Sequence, residues 1–341
     1  MNQVDSVSHQ LMIFAGITMY VFGSIGNLLS ICVFAIWSRS KKNSNKYSRS
    51  HQACNSSLYL LVSSIANLLV IIYPLFTRIM LDGYNYQITK EKILIRCKLR
   101  YYILHTCDLI SLTCICLATF DRYLISSREV RLRKLSTTRR RTKLIILFLI
   151  VLLSLHSLPI LKYYTVTEEG FCTIVSVAYL YYYLYIFQIF LHGLLPITFL
   201  SIFGILTFKQ LRILNKRKVH SRTVNSERQL SRMLLLISLA IVLSSIPYCI
   251  EQSYLVLIKG NNRQLTSFFY LYHVACSLLF YTNPVTSFYI YYISTRNVRL
   301  QIRKIFCCEQ NNQYFVIYKV KPITPTSDIF RRPMFHRSDL L

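Results

Sequence analysis

Residues 97–123 read CKLRYYILHTCDLISLTCICLATFDRY, and the reading of this stretch decides the fold. Between the basic residues at its start and Asp121-Arg122-Tyr123 at its end runs a largely apolar block that contains one carboxylate, Asp108. Hydrocarbon about 30 Å thick takes roughly 20 helical residues to cross, and this block is long enough. A water-soluble helix would show polar residues at every third or fourth position, and the block mostly does not. Similar runs occupy about 11–37, 58–80, 144–164, 180–208, 230–258 and 266–294, which with 97–125 makes seven spans. Helices are the default, because a lipid-exposed strand edge leaves backbone groups unpaired. The expected fold class is an all-α membrane protein, a seven-transmembrane helix bundle over 11–294.

The net charge of +27 invites a nucleic-acid reading, and its distribution argues against one. Of the 40 Lys and Arg, 31 fall in 38–55, 122–143, 209–232 and 296–341, on alternate connections between spans. Short cytoplasmic loops carry the Lys/Arg excess, so the N-terminus is expected outside and the C-terminus inside a plasma-membrane protein. Solvated loops facing anionic lipid account for most of this charge without a nucleic-acid partner. Residues 1–10 read as a short extracellular segment with no basic start. The first span is therefore expected to be its own insertion signal rather than a cleaved one. Most of the 11 Cys lie within spans, as small apolar groups. Cys97 and Cys172 fall on the outer, oxidising side, whereas the adjacent Cys307 and Cys308 fall in the reducing cytoplasm.

The loops add local signals. KYYTVTEEGFCTIVSVA (162–178) alternates around Glu169-Gly170, which predicts a β-hairpin in the second extracellular loop with Cys172 on its second strand. RNVRLQIRKIF (296–306) sets Val298, Ile302 and Ile305 opposite its basic residues, which predicts a short amphipathic eighth helix on the membrane surface within 295–308. Cys307 and Cys308 at its end are palmitoylation candidates. Residues 309–341 read as a flexible cytoplasmic tail. Asn55-Ser56-Ser57 forms a glycosylation triplet on the inner side of the membrane, where it is discounted.

Spacing turns weak motifs into a strong set. Cys97 precedes Arg122 by 25 residues, about seven helical turns. The first span carries Gly26-Asn27, the fifth Pro196, the sixth Pro247 and the seventh Asn283-Pro284. In this order over about residues 11–308, the chain resembles the rhodopsin-like (class A) G-protein-coupled receptors. The resemblance implies that Cys97 pairs with Cys172 and pins the second extracellular loop over a ligand cavity. It implies that Asp121, Arg122 and Tyr123 form the G-protein switch, clamped by Glu227 on the sixth helix. The plainer alternative pairs Glu227 with Arg228 or with nothing. Asn27, Asn67, Ser111 and Asn283 would form a polar network in the bundle. Pro196, Pro247 and Pro284 would interrupt their helices, and the kink at Pro247 would let the sixth helix swing outward to admit a heterotrimeric G protein. Arg131, Arg133 and Lys134 would face either the G protein or lipid head groups.

Departures from the family pattern are equally specific. Its acid in the second helix is Asn67 here, the Trp two residues before the sixth-helix Pro is Ser245, the seventh-helix Tyr is Ser287, and the fifth-helix Tyr is Gly204. These put sodium control and the tyrosine relay in doubt while leaving Arg122. Leu104 at the position of the amine receptors' acid counts against a biogenic amine, and the seventh span has no Lys for a retinal Schiff base. Asp108 is a ligand-binding candidate, because a carboxylate at membrane depth is functional by default. So are His105, Gln188, His192, Tyr248, Glu251, Gln252, Tyr270 and His273, although a lone histidine is more often structural. By analogy with peptide receptors, the expected extracellular ligand is a short neuropeptide. No nucleophile–base pair, phosphate loop or metal-ligand spacing appears, so no enzyme, cofactor or metal is expected. A transporter would show repeated halves or rows of buried charge, and neither is read. A non-signalling member of the receptor family stays open.

Overall fold

The computed structural model describes residues 3–39, 49–84, 94–127, 129, 131–132, 135–136, 138–166, 172–216, 222–260 and 267–306. Eight helices follow one another among them: α1 (Gln3–Arg39), α2 (49–83), α3 (94–126), α4 (Arg139–Tyr163), α5 (177–216), α6 (Arg222–Gly260), α7 (Ser267–Ser294) and α8 (Arg296–Phe306). The chain divides into two compact units, Met1–Arg303 and Lys304–Leu341; of the second, the described part is the helical stretch from Lys304 to Phe306.

Apolar surface is arranged for lipid. On α4, Leu144, Leu147, Phe148, Val151, Leu155 and Leu158 form an exposed stripe, between 45% and 64% accessible. In water such a stripe would be a liability; in hydrocarbon it has no cost. Hydroxyls within the spans turn back onto their own helices: Ser64 donates to the Leu60 carbonyl, Thr119 to Ile115, Ser157 to Leu153 and Ser238 to Leu234. Each thereby meets its hydrogen-bond requirement without water. α3 is the most enclosed span and packs against α2, α4 and α5, while α1 packs against α2 and α7. Gly23 permits that last approach. A Cβ there would stand 2.7 Å from Ile71 Cδ1 and 2.9 Å from Val285 Cγ2, so only glycine lets α1 lie this close.

The helices outrun the apolar runs. α1 begins at Gln3 rather than near 11, α2 at Arg49 rather than near 58, and α5 continues to Lys216. Hydropathy marks the hydrocarbon, whereas backbone hydrogen bonding continues beyond it. The seven expected spans are found in part. Six described helices are long and apolar enough to cross a membrane, and α7 is not among them. Its 28 residues carry no Asp, Glu, Lys or Arg, but Tyr, Ser and Thr dilute its apolar content.

Two three-residue strands follow α4, β1 (Tyr164–Val166) and β2 (Cys172–Ile174). They pair antiparallel in the register Tyr164↔Ile174, Thr165↔Thr173 and Val166↔Cys172. The connection with Glu169-Gly170 lies outside the described residues. Cys172 on β2 is bonded to Cys97 at the start of α3, with Cα atoms 5.8 Å apart. On α8, Val298 and Ile302 are buried. Cys307, Cys308 and the tail 309–341 lie outside the described residues.

Candidate functional site

Two groups of buried polar side chains occupy the end of the bundle that carries Cys97. The first begins with Arg78 on α2, 4% exposed. Its Nε stands 2.7 Å from Asp82 Oδ2 one turn along, without pointing its hydrogen at that oxygen, so this is an ion pair rather than an aligned hydrogen bond. Arg78 Nη2 lies 2.6 Å from His273 Nε2 on α7. A guanidinium only donates, so that ring nitrogen accepts and the imidazole proton sits on Nδ1. Nδ1 in turn donates to Glu251 Oε1 on α6, at 2.7 Å. A neutral imidazole thus joins a cation on α2 to a fully buried carboxylate on α6. The Asp82 carbonyl accepts from His9 Nδ1 of α1 at 2.5 Å and from the Tyr270 hydroxyl of α7 at 3.3 Å. Tyr248 is buried with its ring against Phe280, centroids 4.6 Å apart. Four helices therefore meet in one polar chain.

The second group lies between α3 and α5. His105 Nε2 bonds the Tyr183 hydroxyl at 2.6 Å, and its ring packs against Phe187 and His192. His192 Nδ1 donates to the Phe187 carbonyl at 3.0 Å, and its Nε2 stands 3.2 Å from Asp108 Oδ2. Gln188 is 1% exposed, with no hydrogen-bond partner for either end of its carboxamide among the described residues. Beneath the hairpin, Arg100 lies with its guanidinium 4.7 Å over the Tyr101 ring, which stacks on Tyr164 of β1. The side chain of Gln252 lies outside the described residues.

Of the candidates read from sequence, the structure gathers His105, Asp108 and His192 in one place and Glu251, Tyr270 and His273 in another. Sequence reasoning missed Arg78, Asp82, Arg100 and His9. The signal was present, since an Arg and an Asp four apart at the end of an apolar run form a helical ion pair at membrane depth.

In mid-bundle, Asn27 Nδ2 donates to the carbonyls of Gly23 and Pro284, both at 2.8 Å, and ties α1 to α7. Ser63 and Ser111 share a hydrogen bond of 2.7 Å between α2 and α3. Ser287 turns back to the Asn283 carbonyl. Asn67 is buried, and its Nδ2 has no hydrogen-bond partner among the described residues. Of the four expected network residues, Asn27 and Ser111 thus bond through their side chains to different partners. Pro196, Pro247 and Pro284 all lie inside described helices.

At the opposite end, Arg122 is 2% exposed and Asp121 4%. Ser56 on α2 joins them: its Oγ donates to Asp121 Oδ2 at 2.7 Å and accepts from Arg122 Nε at 2.9 Å. Ser136, in the α3–α4 connection, donates to Asp121 Oδ1 at 3.2 Å. Tyr123 packs on Phe203 of α5, and Ser126 donates to Gln210 Oε1 at 2.7 Å. Glu227 stands on α6, and its side chain lies outside the described residues, as do Arg133 and Lys134 entirely. Ser56, set aside within the glycosylation triplet, is the residue whose role spacing alone did not expose.

The chain resembles known proteins in sequence. Mouse neuromedin-U receptor 2 is 21% identical over 301 residues, covering 84% of this chain and 73% of the receptor. The human receptor of the same name is 20% identical over 304 residues, covering 85% and 70%. Its rat counterpart is 21% identical over 302 residues, covering 84% and 73%. Residues 26–291 match the 7 transmembrane receptor (rhodopsin family) pattern, from Gly26-Asn27 through the Arg122 end to Tyr291. With a lipid-facing helical bundle and a buried Asp121-Arg122 pair, the chain belongs to the rhodopsin family of 7 transmembrane receptors.

Proposed function

We propose that this protein is a plasma-membrane receptor that binds an extracellular peptide and activates a heterotrimeric G protein. In this reading α1 to α7 all cross the bilayer, with the Cys97 end outside and the Arg122 end in the cytoplasm. The basic residues of 38–55, 128–143 and 209–232 then lie on the side of the inner leaflet. The Cys97–Cys172 link holds β2 against the start of α3, at the end where a ligand would enter. The charged chain of Asp82, Arg78, His273 and Glu251 suits a ligand with several polar groups better than a small apolar one. The distant relatives are receptors named for neuromedin-U, which favours a receptor role and does not fix the ligand here.

The observation that carries the reading is Arg122, a permanent cation buried at the end of α3 and joined to Asp121 through Ser56. Burying a charge is expensive unless a network holds it, and such a network can be released. A ligand that shifts the resting-to-active ratio from 1:99 to 99:1 must bind the active state better by about 5.5 kcal/mol. The test is a peptide-library screen in cells with a promiscuous Gα readout, repeated on Arg122→Ala. Signalling is expected to vanish in the variant while peptide binding persists; signalling that survives refutes the switch. Ser245, Ser287 and Gly204 favour one other reading, a receptor-fold protein that does not signal. That protein would bind its peptide yet exchange nucleotide on no Gα.

A further inference from the structure

The α3–α4 connection carries a hydroxyl that the receptor reading leaves unused. Ser136 donates its only hydroxyl proton to Asp121 Oδ1, so the connection holds the acid beside Arg122 through that proton. Ser136 itself is half-buried, while its neighbour Leu135 is 65% exposed. In sequence, Arg131, Arg133 and Lys134 precede Ser136 and Arg139, Arg140 and Arg141 follow it. Arg131, Arg140 and Arg141 are exposed. A serine embedded in basic residues suits the acidic peptide groove of a basic-directed serine/threonine kinase, by charge complementarity.

We propose that Ser136 is a phosphorylation site whose modification releases Asp121 from the α3–α4 connection and so loosens the Arg122 switch. The proposal rests on the receptor reading, in which this end faces the cytoplasm. In the transfer, Ser136 Oγ attacks the γ-phosphorus of ATP. The Oγ–P bond forms, the bond to the ADP oxygen breaks, ADP leaves with that electron pair, and the hydroxyl proton passes to the kinase's base. The product no longer has the proton that Asp121 accepts, and it carries a charge of about −1.5 to −2 next to a carboxylate. Contact becomes repulsion. The phosphate has a favourable alternative close by in the chain, since α4 begins at Arg139 and presents its N-terminal amides together with Arg140 and Arg141. Ser56 still donates to Asp121, so the switch is loosened rather than dismantled. The loss of one hydrogen bond to a charged group changes the resting-to-active ratio by about tenfold.

The full-length receptor, purified and incubated with a basic-directed kinase and ATP, is digested and its phosphate located by mass spectrometry. Phosphate on Ser136 is expected; phosphate confined to Thr137 or Thr138, or none, overturns the site. Ligand-free nucleotide exchange on a promiscuous Gα is then compared for wild type, Ser136→Ala, Ser136→Glu and Ser136→Thr. Kinase treatment should raise wild type by about threefold to tenfold, towards the level of Ser136→Glu. Ser136→Ala should not respond to the kinase, and Ser136→Thr should behave as wild type before treatment. Amide hydrogen exchange at 121–127, which needs no G protein, should speed up on phosphorylation. If exchange there is unchanged while Ser136 is fully modified, the release is refuted. If nucleotide exchange equals that of Arg122→Ala in every sample while the amides respond, the receptor reading fails and the phosphorylation switch stands.

Discussion

Replacing Arg78 tests the Cys97-end chain most directly. Arg78→Met keeps much of the side-chain volume and removes the charge. Breaking a buried ion pair from one side costs about 3–5 kcal/mol, because the remaining charge stays buried. The Asp82 side chain is 23% exposed and keeps some solvation, which places its share below that range, at about 2–3 kcal/mol. His273 Nε2 also loses its donor, for about 1 kcal/mol more. The sum is about 3–4 kcal/mol, or roughly 4–6 °C in the melting midpoint of a chain this long. Asp82→Asn alone leaves the Arg78 guanidinium buried without its counter-charge and should cost about 3–5 kcal/mol. The double variant removes both charges and should recover about 2 kcal/mol relative to the sum of the singles. The assay is the thermal unfolding midpoint of detergent-purified, ligand-free receptor for all four proteins. Effects that add within about 0.5 kcal/mol would refute the pairing.

Three further outcomes follow from the same geometry. Ser56→Ala removes one donor from Asp121 and one acceptor from Arg122, so ligand-free signalling should rise by about tenfold; an unchanged baseline shows that Ser56 only fills space. Glu227→Ala should likewise raise basal activity if an acid on α6 clamps α3, and a flat response in the same nucleotide-exchange assay dismisses the clamp. Cys97→Ser frees a crosslink spanning 75 residues, worth about 4 kcal/mol in the chain-entropy account, so surface expression or ligand affinity should fall; normal values of both would remove the bridge from the explanation.

Two buried arginines show what sequence can and cannot deliver. Arg122 was readable because it stands in register with Cys97, Pro247 and Asn283-Pro284, and register needs only counting along helices of known rise. Arg78 obeys the same physics, since a cation in an apolar run demands a partner, yet its partners Asp82 and His273 lie 4 and 195 residues away, and Glu251 is reached only through His273, in a chain without internal symmetry. The first, Asp82, was in plain view at helical spacing. The other two, Glu251 and His273, were recognised singly as cavity residues but could not be joined, because side-chain contact between helices depends on rotation and depth that hydropathy does not encode. The helix ends fall under the same limit: apolar length measures the hydrocarbon a helix could cross, and the tyrosines and hydroxyls of α7 lower its hydropathy. What spacing cannot supply, a tautomer can. Once Arg78 is placed on Nε2 of His273, the ring has one proton left to give, and Glu251 receives it. The direction of that chain, from α2 through α7 to α6, follows from donor chemistry alone. It means that a hydrogen-bond acceptor brought against Nε2 would need a proton there, and so would change the tautomer or the charge of the ring that Glu251 holds.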